Sequence, residues 1–223
     1  MSKSILIVAS HPDDEVLGCG GTIARHVEEG DKVNLIFMTN GVESRINSNN
    51  LSIKKRERST KKAQSILGIS SFCNLGFPDN SMDKIPLLRI VKKIEKNINK
   101  FKPDIIYTHH NGDLNIDHRL THSAVMTACR PIPYSTIKAI YGFEILSSTE
   151  WSNSRSSLFN PTYFVNISKQ IKKKLKALDA YAFEMRNKPH SRSIRHAEIL
   201  SEHRGYSVGI NNAEAFEIYR IIK

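Results

Sequence analysis

The sequence predicts an α/β fold, a Rossmann-like arrangement of three layers around a mostly parallel central sheet. The first observation is an apolar, β-branched run at residues 4–10, followed by an amphipathic segment at 15–29 and a second apolar run at 33–39. Strand, helix and strand in this order make a βαβ unit, which places the two strands parallel in one sheet. The second observation is that strand and helix patterns keep alternating along the chain.

The remaining elements are bounded by glycines, prolines and polar stretches. After a polar loop at residues 40–50, the pattern predicts helices at 53–67, 86–99, 118–129, 169–185 and 213–222, and strands at 72–75, 104–108, 138–142 and 163–167. A Ser/Asn-rich surface loop is predicted at residues 147–157. In sheets of this kind, functional side chains collect at the carboxyl ends of the strands.

Length and composition indicate one soluble domain spanning residues 1–223. The hydrophobic fraction is 39% and the charged fraction 25%, and no apolar run reaches the roughly 18 residues of a membrane span. The run at residues 4–10 is short and lacks a small-residue cleavage site, so we expect a cytoplasmic protein. The three cysteines form no Cys-x-x-Cys pair, which argues against a disulfide framework and against a thiolate zinc site.

The formal net charge of +11 raises the hypothesis of a nucleic-acid partner. The basic residues cluster at 54–58, 61–62, 92–93 and 172–174, all in predicted helices where they can form solvated faces. No aromatic residues are interleaved with them for stacking on bases. We therefore predict no nucleic-acid partner, and the positive field equally suits a small anionic substrate.

A first polar cluster, His11, Asp13, Asp14 and Glu15, follows the first predicted strand directly. Aspartates in front of a helix often only cap its free amides. Capping does not account for His11 or for the rigid Pro12, and two adjacent carboxylates repel each other unless a cation offsets them. The cluster therefore indicates a site for a cation in addition to the start of a helix.

A second cluster, at residues 108–119, follows the strand predicted at 104–108 and is rich in histidine and aspartate. Because both clusters lie at the carboxyl ends of parallel strands, they face each other across one sheet edge. Together they can supply a His/Asp/His site, which suits a catalytic zinc with one position open for water. Such water has a pKa near ~7, and a spare carboxylate beside it can act as general base.

Residues 9–15, Ala-Ser-His-Pro-Asp-Asp-Glu, resemble the signature of the PIG-L/LmbE-like deacetylases. Residues 115–118, Asn-Ile-Asp-His, resemble the second motif of that family, usually His-x-Asp-His, and the similarity extends over nearly the whole chain. The resemblance implies the LmbE-like fold and a zinc-dependent N-deacetylase acting on an N-acetylated sugar, free or nucleotide-linked. It implies His11, Asp14 and His118 as the zinc ligands, and iron(II) or cobalt(II) could occupy the same donors.

The same resemblance assigns proton-handling roles. It implies that Asp13 is the general base, which takes a proton from the attacking water and delivers one to the leaving amine, and that Asp117 orients neighbouring groups. Asn115 departs from the family, because many members have there a histidine that holds the oxyanion or protonates the leaving group. An asparagine cannot supply a proton. We expect Asp13 to carry both transfers, with His109, His110 or a C-terminal histidine as alternatives.

The C-terminal stretch at residues 185–193 resembles family members of bacterial polysaccharide and nucleotide-sugar pathways. His190 and Arg192 in this stretch could cap a helix at the surface or contact an anionic substrate, since arginine binds phosphate bidentately. We include both among the expected substrate-binding residues. Arg56 is also expected to bind substrate, and Asp79 to lie at the lip of the site.

Some alternatives stay open from the sequence. Trp151, the sole tryptophan, could be a lid that stacks on a sugar or an interface anchor. An amidase of a thiol conjugate or of another small-molecule amide would use the same site residues. A non-catalytic basic binding protein would instead have a structural or lost metal site. A homo-oligomer is compatible with the family resemblance.

Overall fold

The computed structural model describes residues 2–44, 50–153 and 157–223, which alternate between strands and helices. The strands are β1 (Ser4–Ala9), β2 (Lys32–Thr39), β3 (Ser71–Phe77), β4 (Ile105–His109), β5 (Ala139–Phe143), β6 (Tyr163–Asn166) and β7 (Ala213–Ile221). The helices are α1 (Asp14–Glu28), α2 (Asn50–Leu67), α3 (Leu87–Phe101), α4 (Ile116–Ala128), α5 (Ile171–Ala180) and α6 (Ile194–Tyr206). A short 3-10 helix, Met82–Lys84, precedes α3.

The strands form one seven-stranded sheet in the order β3-β2-β1-β4-β5-β7-β6. Neighbours from β3 to β5 pair in parallel, whereas β7 is antiparallel to both β5 and β6. From β1 the chain moves outwards in one direction to β2 and β3, and then in the other direction to β4 and β5. The carboxyl ends of β1 and β4 therefore flank the topological switch point, where open α/β sheets bind their ligands.

Two apolar layers cover the sheet, because successive side chains of a strand point to opposite faces. In β1, Ile5 and Ile7 face the layer of α1, α2, α5 and α6, while Leu6 and Val8 face α3 and α4. All four side chains are fully buried, as expected for a central parallel strand whose sequence is continuously apolar. The predicted three-layer fold with a mostly parallel sheet is confirmed.

The helix predicted at residues 213–222 is wrong, because Ala213–Ile221 forms β7. Alanine and glutamate favour helices, but this segment pairs with β5 on one side and with β6 on the other. Phe216 is fully buried and packs against Tyr107 and Tyr163. Strand pairing and aromatic packing therefore outweigh the local helix propensity.

The rest of the C-terminal region also differs in part from its prediction. Helix α5 ends at Ala180, before the expected bound, and α6 is an additional helix that the pattern does not predict. The surface loop predicted at 147–157 is buried at its start, because Ser148 and Thr149 contact Asp113.

Residues 154–156 of that loop, and residues 45–49 of the polar loop predicted at 40–50, lie outside the described residues. In the described part of the chain, no helix combines the length and the apolar character that crossing a membrane requires.

Candidate active site

The two polar clusters of the sequence meet at the carboxyl ends of β1 and β4. These strands are direct neighbours and run in parallel, so the residues that follow them emerge side by side. His11 and Asp13 lie between β1 and α1, Asp14 is the first residue of α1, and His118 lies in the first turn of α4. All four side chains are buried. The fold thus brings together residues more than a hundred positions apart in the sequence.

Three of these side chains form a compact group of metal-ligating atoms, His11, Asp14 and His118. His11 Nδ1 lies 3.2 Å from Asp14 Oδ2 and 3.2 Å from His118 Nε2. His118 Nε2 lies 3.3 Å from the same aspartate oxygen. Two imidazoles and one carboxylate are the donor set of a catalytic zinc that keeps one position open.

Carboxylates lie against the opposite nitrogen of each imidazole. His11 Nε2 lies 3.2 Å from an oxygen of Asp117 and 3.3 Å from an oxygen of Asp79. His118 Nδ1 lies 3.0 Å from Asp113. Such contacts orient the rings and favour the tautomers in which the other nitrogen, the one inside the three-residue group, is free to bind a metal.

Negative charge dominates the centre of the site. Five aspartates there are at most 4% exposed: Asp13, Asp14, Asp79, Asp113 and Asp117. Burial alone would lower the pKa of His118, but Asp14 and Asp113 outweigh it and raise that pKa to about 9. Carboxylates that draw a proton onto a histidine attract a divalent cation in the same way. The residues present therefore fit a metal ion.

Asp13 differs from the other carboxylates in its backbone and its partners. Its φ angle is 123°, which L-residues rarely adopt, and its side chain makes no capping hydrogen bond to α1. Capping therefore does not explain this residue. Its Oδ2 accepts a hydrogen bond from Arg192 at 3.0 Å and lies 3.6 Å from Arg56, whereas its buried Oδ1 has no hydrogen-bond partner in the part of the chain that the structure describes. Burial raises the pKa of Asp13, and the two arginines counteract part of that rise.

The two arginines reach Asp13 from distant parts of the chain. Arg56 lies on α2, is only 3% exposed, and places its guanidinium 2.8 Å from Glu184. The solvated face expected for its basic cluster therefore does not include Arg56. Arg192 lies just before α6, is partly exposed, and also donates a hydrogen bond to the Ser147 hydroxyl at 2.8 Å. Only Arg192 of the two is open to solvent beside Asp13.

Asp79 and His190 occupy quite different places. Asp79 is buried behind His11, and one of its oxygens accepts hydrogen bonds from the backbone and hydroxyl of Ser44. The expectation that Asp79 lies at the lip of the site is therefore wrong, because its carboxylate serves to hold other protein groups. His190 is exposed, and its ring lies edge-on to Trp151 with 5.6 Å between the centroids.

Asn115 uses both ends of its amide within the protein. Its oxygen accepts hydrogen bonds from the backbone amides of Asp117 and His118, so it caps α4. Its nitrogen donates to Asn80 at 3.0 Å. Asn115 thus sets the position of His118 through the backbone, which a sequence motif does not reveal.

His109 and His110, at the carboxyl end of β4, make hydrogen bonds to other protein groups. His109 Nε2 accepts a hydrogen bond from the backbone amide of Ser10 at 2.8 Å, and its ring stacks on His118. Burial and the neighbouring His118 lower the pKa of His109 well below its ordinary value. His110 pairs with Glu217 at 2.7 Å. His109 Nδ1 is buried and has no hydrogen-bond partner among the described residues.

Sequence reasoning missed four residues of the site. Asp113 lies within the second cluster, and its position five residues before His118 was the available signal. Ser148 and Thr149, whose hydroxyls donate to Asp113, and Glu184, which lies beside Arg56, had no such signal. Their roles depend on how distant loops fold back onto the sheet, which local sequence does not encode.

Comparison with known proteins adds an independent line of evidence. The family model of the GlcNAc-PI de-N-acetylases, PIG-L, matches residues 6–129. An uncharacterized deacetylase of Escherichia coli K12, YaiS, is 33% identical over 151 residues, which cover 66% of this chain and 76% of the relative. A probable N-acetyl-α-D-glucosaminyl L-malate deacetylase 2 of Bacillus anthracis is 25% identical over 194 residues, covering 83% of each chain.

A solved structure shows the same architecture. The N,N'-diacetylchitobiose deacetylase of Pyrococcus horikoshii, crystallised with its inhibitor MPG, matches with a TM-score of 0.78 and covers 98% of this chain and 84% of that chain. The two sequences are 19% identical. At this identity the likeness shows the fold and leaves the reaction to the site residues.

Proposed function

The chain belongs to the PIG-L family of de-N-acetylases, and on that premise we propose that it hydrolyses the N-acetyl amide of a sugar with a zinc ion held by His11, Asp14 and His118. The observation that carries the proposal is the position of Asp13. Its buried Oδ1 has no hydrogen-bond partner among the described residues, and Asp13 directly precedes Asp14, a member of the three-residue group with the donors of a catalytic zinc. Relatives named as deacetylases of N-acetylated sugars support the substrate class.

The donor set accounts for the choice of metal. A zinc ion bound to two imidazoles and a carboxylate supplies a Lewis acid for the amide carbonyl and lowers the pKa of water. The same donors accept iron(II) or cobalt(II), so the native metal is a matter for direct analysis. The protein's contribution is orientation, since Asp117, Asp79 and Asp113 lie against the outer nitrogens of the two histidines.

Asp13 handles the protons in this proposal. Its Oδ1 takes a proton from water as the water oxygen bonds to the amide carbon, and it then gives the proton to the nitrogen as the C–N bond breaks. The products are acetate and a free amine. Asn115 cannot supply a proton, and both ring nitrogens of His110 are held by Glu217 and Ser157, so the proposal assigns both transfers to Asp13. A single carboxylate therefore serves first as base and then as acid.

The arginines and His190 divide into two roles. Arg56 is buried between Asp13 and Glu184, so it holds the catalytic carboxylate in place rather than reaching the substrate. Arg192 and His190 are open to solvent and remain the proposed contacts with the substrate. Arg192 bonded to one oxygen of Asp13 leaves the other oxygen for proton transfer.

The test combines a substrate screen with one substitution. N-acetylated sugars, nucleotide sugars and a thiol-conjugate amide are assayed for free amine and acetate. Asp13→Asn should lower kcat by about 10²–10⁴-fold, the usual contribution of general acid–base catalysis, with unchanged zinc content. Asp179→Asn, an exposed position on α5, is the matched control and should keep full activity.

Two results would contradict the proposal. If Asp13→Asn holds stoichiometric zinc and is as active as the wild type, Asp13 is not the proton-transfer group. If the thiol conjugate is hydrolysed and no acetylated sugar is, the substrate class is wrong while the site chemistry stands.

A further inference from the structure

An open groove of about 690 Å³ lies beside the proposed active site. Trp151 forms part of its wall, with 51% of its surface exposed. The other walls come from residues 188–191 and from the first turn of α6. An exposed tryptophan face next to polar groups is a surface on which sugar rings and other flat or amphipathic ligands bind.

Basic side chains outnumber acidic ones along the groove. Its basic side chains are Lys188, His190, Arg195 and His196, and its acid is Glu150. Glu150 accepts hydrogen bonds from the backbone amides of two serines and from a serine hydroxyl, so its oxygens are directed at protein groups. Lys188 has no acidic partner among the described residues, while Arg195 pairs with Glu198 at 2.7 Å.

The backbone of α6 adds to this positive field. The helix begins at Ile194 after the N-cap Ser193, whose hydroxyl accepts a hydrogen bond from the His196 amide. The other amides of the first turn have no partner within the helix, and the helix dipole favours an anion at this end. The helix end and the basic side chains therefore act in the same direction.

Residues that line the groove directly flank, in sequence, the arginine that contacts Asp13. His190 and Ser191 line the groove, and the next residue, Arg192, donates a hydrogen bond to Asp13 at 3.0 Å. The Ser191 hydroxyl accepts a hydrogen bond from the backbone amide of Ser147 at 3.2 Å. The Ser147 hydroxyl in turn accepts a hydrogen bond from Arg192. A sugar whose amide lies at Asp13 can therefore extend past Arg192 into the groove.

We propose that this groove is a second subsite, which binds a phosphate-type group carried by the sugar, with Trp151 providing an aromatic contact. The inference rests on the proposed function for the identity of the sugar. Two sources share the chemistry, a simple sugar phosphate and a nucleoside-diphosphate sugar. Unlike the proposed zinc site, the groove contributes to substrate binding and takes no part in the chemical step.

Trp151 provides a direct readout, because it is the only tryptophan of the chain. Its fluorescence is titrated with glucose 1-phosphate, UDP-glucose and glucose, none of which carries an amide that the enzyme could consume. Both phosphorylated probes should change the emission in a saturable way, and glucose at the same concentrations should not. The tighter of the two phosphorylated probes indicates the source of the phosphate.

Charge reversal tests the basic wall. Lys188→Glu should weaken binding of the phosphorylated probes about tenfold, as expected when a charge-assisted contact becomes a repulsion. Lys96→Glu, an exposed position on α3 across the sheet, is the matched control and should change binding less than twofold. The proposal is overturned if glucose gives the same response as its phosphate, or if Lys188→Glu binds like the control.

Turnover separates this inference from the function itself. With N-acetylglucosamine 1-phosphate as substrate, Lys188→Glu should raise KM about tenfold at unchanged kcat, and it should leave KM for N-acetylglucosamine unchanged. An equal rise in KM for both substrates would overturn a charge-specific subsite. If the wild type hydrolyses neither substrate, the proposed function fails for these sugars, and the fluorescence titration still decides on the groove.

Discussion

Residues 1–129 and residues 144–221 contribute to one site in different ways. The first region carries His11, Asp13, Asp14 and His118, which all lie close to the carboxyl end of β1 or β4. The second region contributes Arg192 from the irregular backbone before α6, together with hydroxyl groups from the loop after β5. The groups proposed for the chemistry thus follow closely after strands of the sheet or lie in the first turn of the next helix, whereas Arg192 and the two hydroxyl groups lie on loops.

Three of the contacts between the two regions can each be broken on its own. Glu214 of β7 binds α1, two hydroxyls of the loop after β5 bind Asp113, and Glu217 of β7 binds His110. If the second region only covers the first, breaking these contacts should change stability alone. If it also sets the geometry of the site, at least one of them should change metal affinity.

The contacts of Glu214 have the largest expected effect. Helix α1 departs from helical geometry at Cys19, and Glu214 accepts hydrogen bonds from the backbone amides of Gly21 and Thr22 that follow, at 2.9 and 2.6 Å. The buried Lys174 donates to the same carboxylate at 2.6 Å. Glu214→Gln leaves this ammonium without a counter-charge, so we expect a loss of about 3–5 kcal/mol in the free energy of unfolding, measured by urea denaturation.

An exposed ion pair at the end of the same helix provides the control. Glu29 pairs with Arg25 at 2.7 Å, and both side chains are more than 40% exposed. Glu29→Gln should therefore cost less than about 1 kcal/mol. Equal losses for the two variants would mean that β7 does not anchor α1 through this carboxylate.

Asp113, a residue of the first region, links two hydroxyl groups of the second region to His118. Its carboxylate lies 3.0 Å from His118 Nδ1 and accepts hydrogen bonds from Ser148 and Thr149. Asp113→Asn removes the negative charge that supports the imidazole, so we expect zinc affinity to fall about 10–100-fold, measured by competition with a chelator. The two hydroxyls donate to the carboxylate, and the amide that replaces it offers one acceptor fewer.

Asp104→Asn provides the comparison for this effect. Asp104 directly precedes β4 and accepts a hydrogen bond from the backbone amide of Ser4, the first residue of β1. This contact lies at the amino ends of the two strands, whereas the metal group lies at their carboxyl ends. It should affect stability without changing zinc affinity. Wild-type zinc affinity in Asp113→Asn would show that the hydroxyls of Ser148 and Thr149 do not act on the metal through Asp113.

The sequence could predict the first region well because its signals are local. Continuous apolar runs define the strands, and the His-Pro-Asp-Asp cluster at residues 11–14 and the cluster at 108–119 follow directly after two of them. Parallel pairing then requires the clusters to meet. The metal ligands implied by the family resemblance form one of the groups of potential ligand atoms that the fold brings together among the described residues.

The second region could not be predicted as well because its signals are not local. The Ala-Glu-Ala-Phe-Glu run at 213–217 favours a helix, and only pairing with β5 and β6 makes it a strand. Arg56 is one of several basic residues on α2, and nothing in its own segment shows that it is buried against Asp13. Both cases depend on partners far along the chain.

The contact between His110 and Glu217 has the smallest expected effect and depends on pH. Burial alone would lower the pKa of His110, but the hydrogen bond with Glu217 at 2.7 Å outweighs it and raises that pKa above 6.5. Burial would raise the pKa of Glu217, and the bond with His110 lowers it below 4.5. The histidine contribution is full below pH 6.5 and is lost as pH rises through the raised pKa. The glutamate contribution is present above pH 4.5 and is lost as pH falls.

The pair should therefore stabilise the fold most between these two ordinary pKa values. Glu217→Gln should lower the free energy of unfolding by about 1 kcal/mol near pH ~5.5, and by less at a second, higher pH above the raised pKa of His110, where this histidine loses its charge. Urea denaturation at the two pH values measures the difference, with Glu202→Gln on α6 as control. If the loss is as large at the higher pH, the Glu217 carboxylate acts through the hydrogen bonds that it accepts from the Asn160 backbone amide and the Tyr219 hydroxyl. In that case no charge pair joins the two regions at this point.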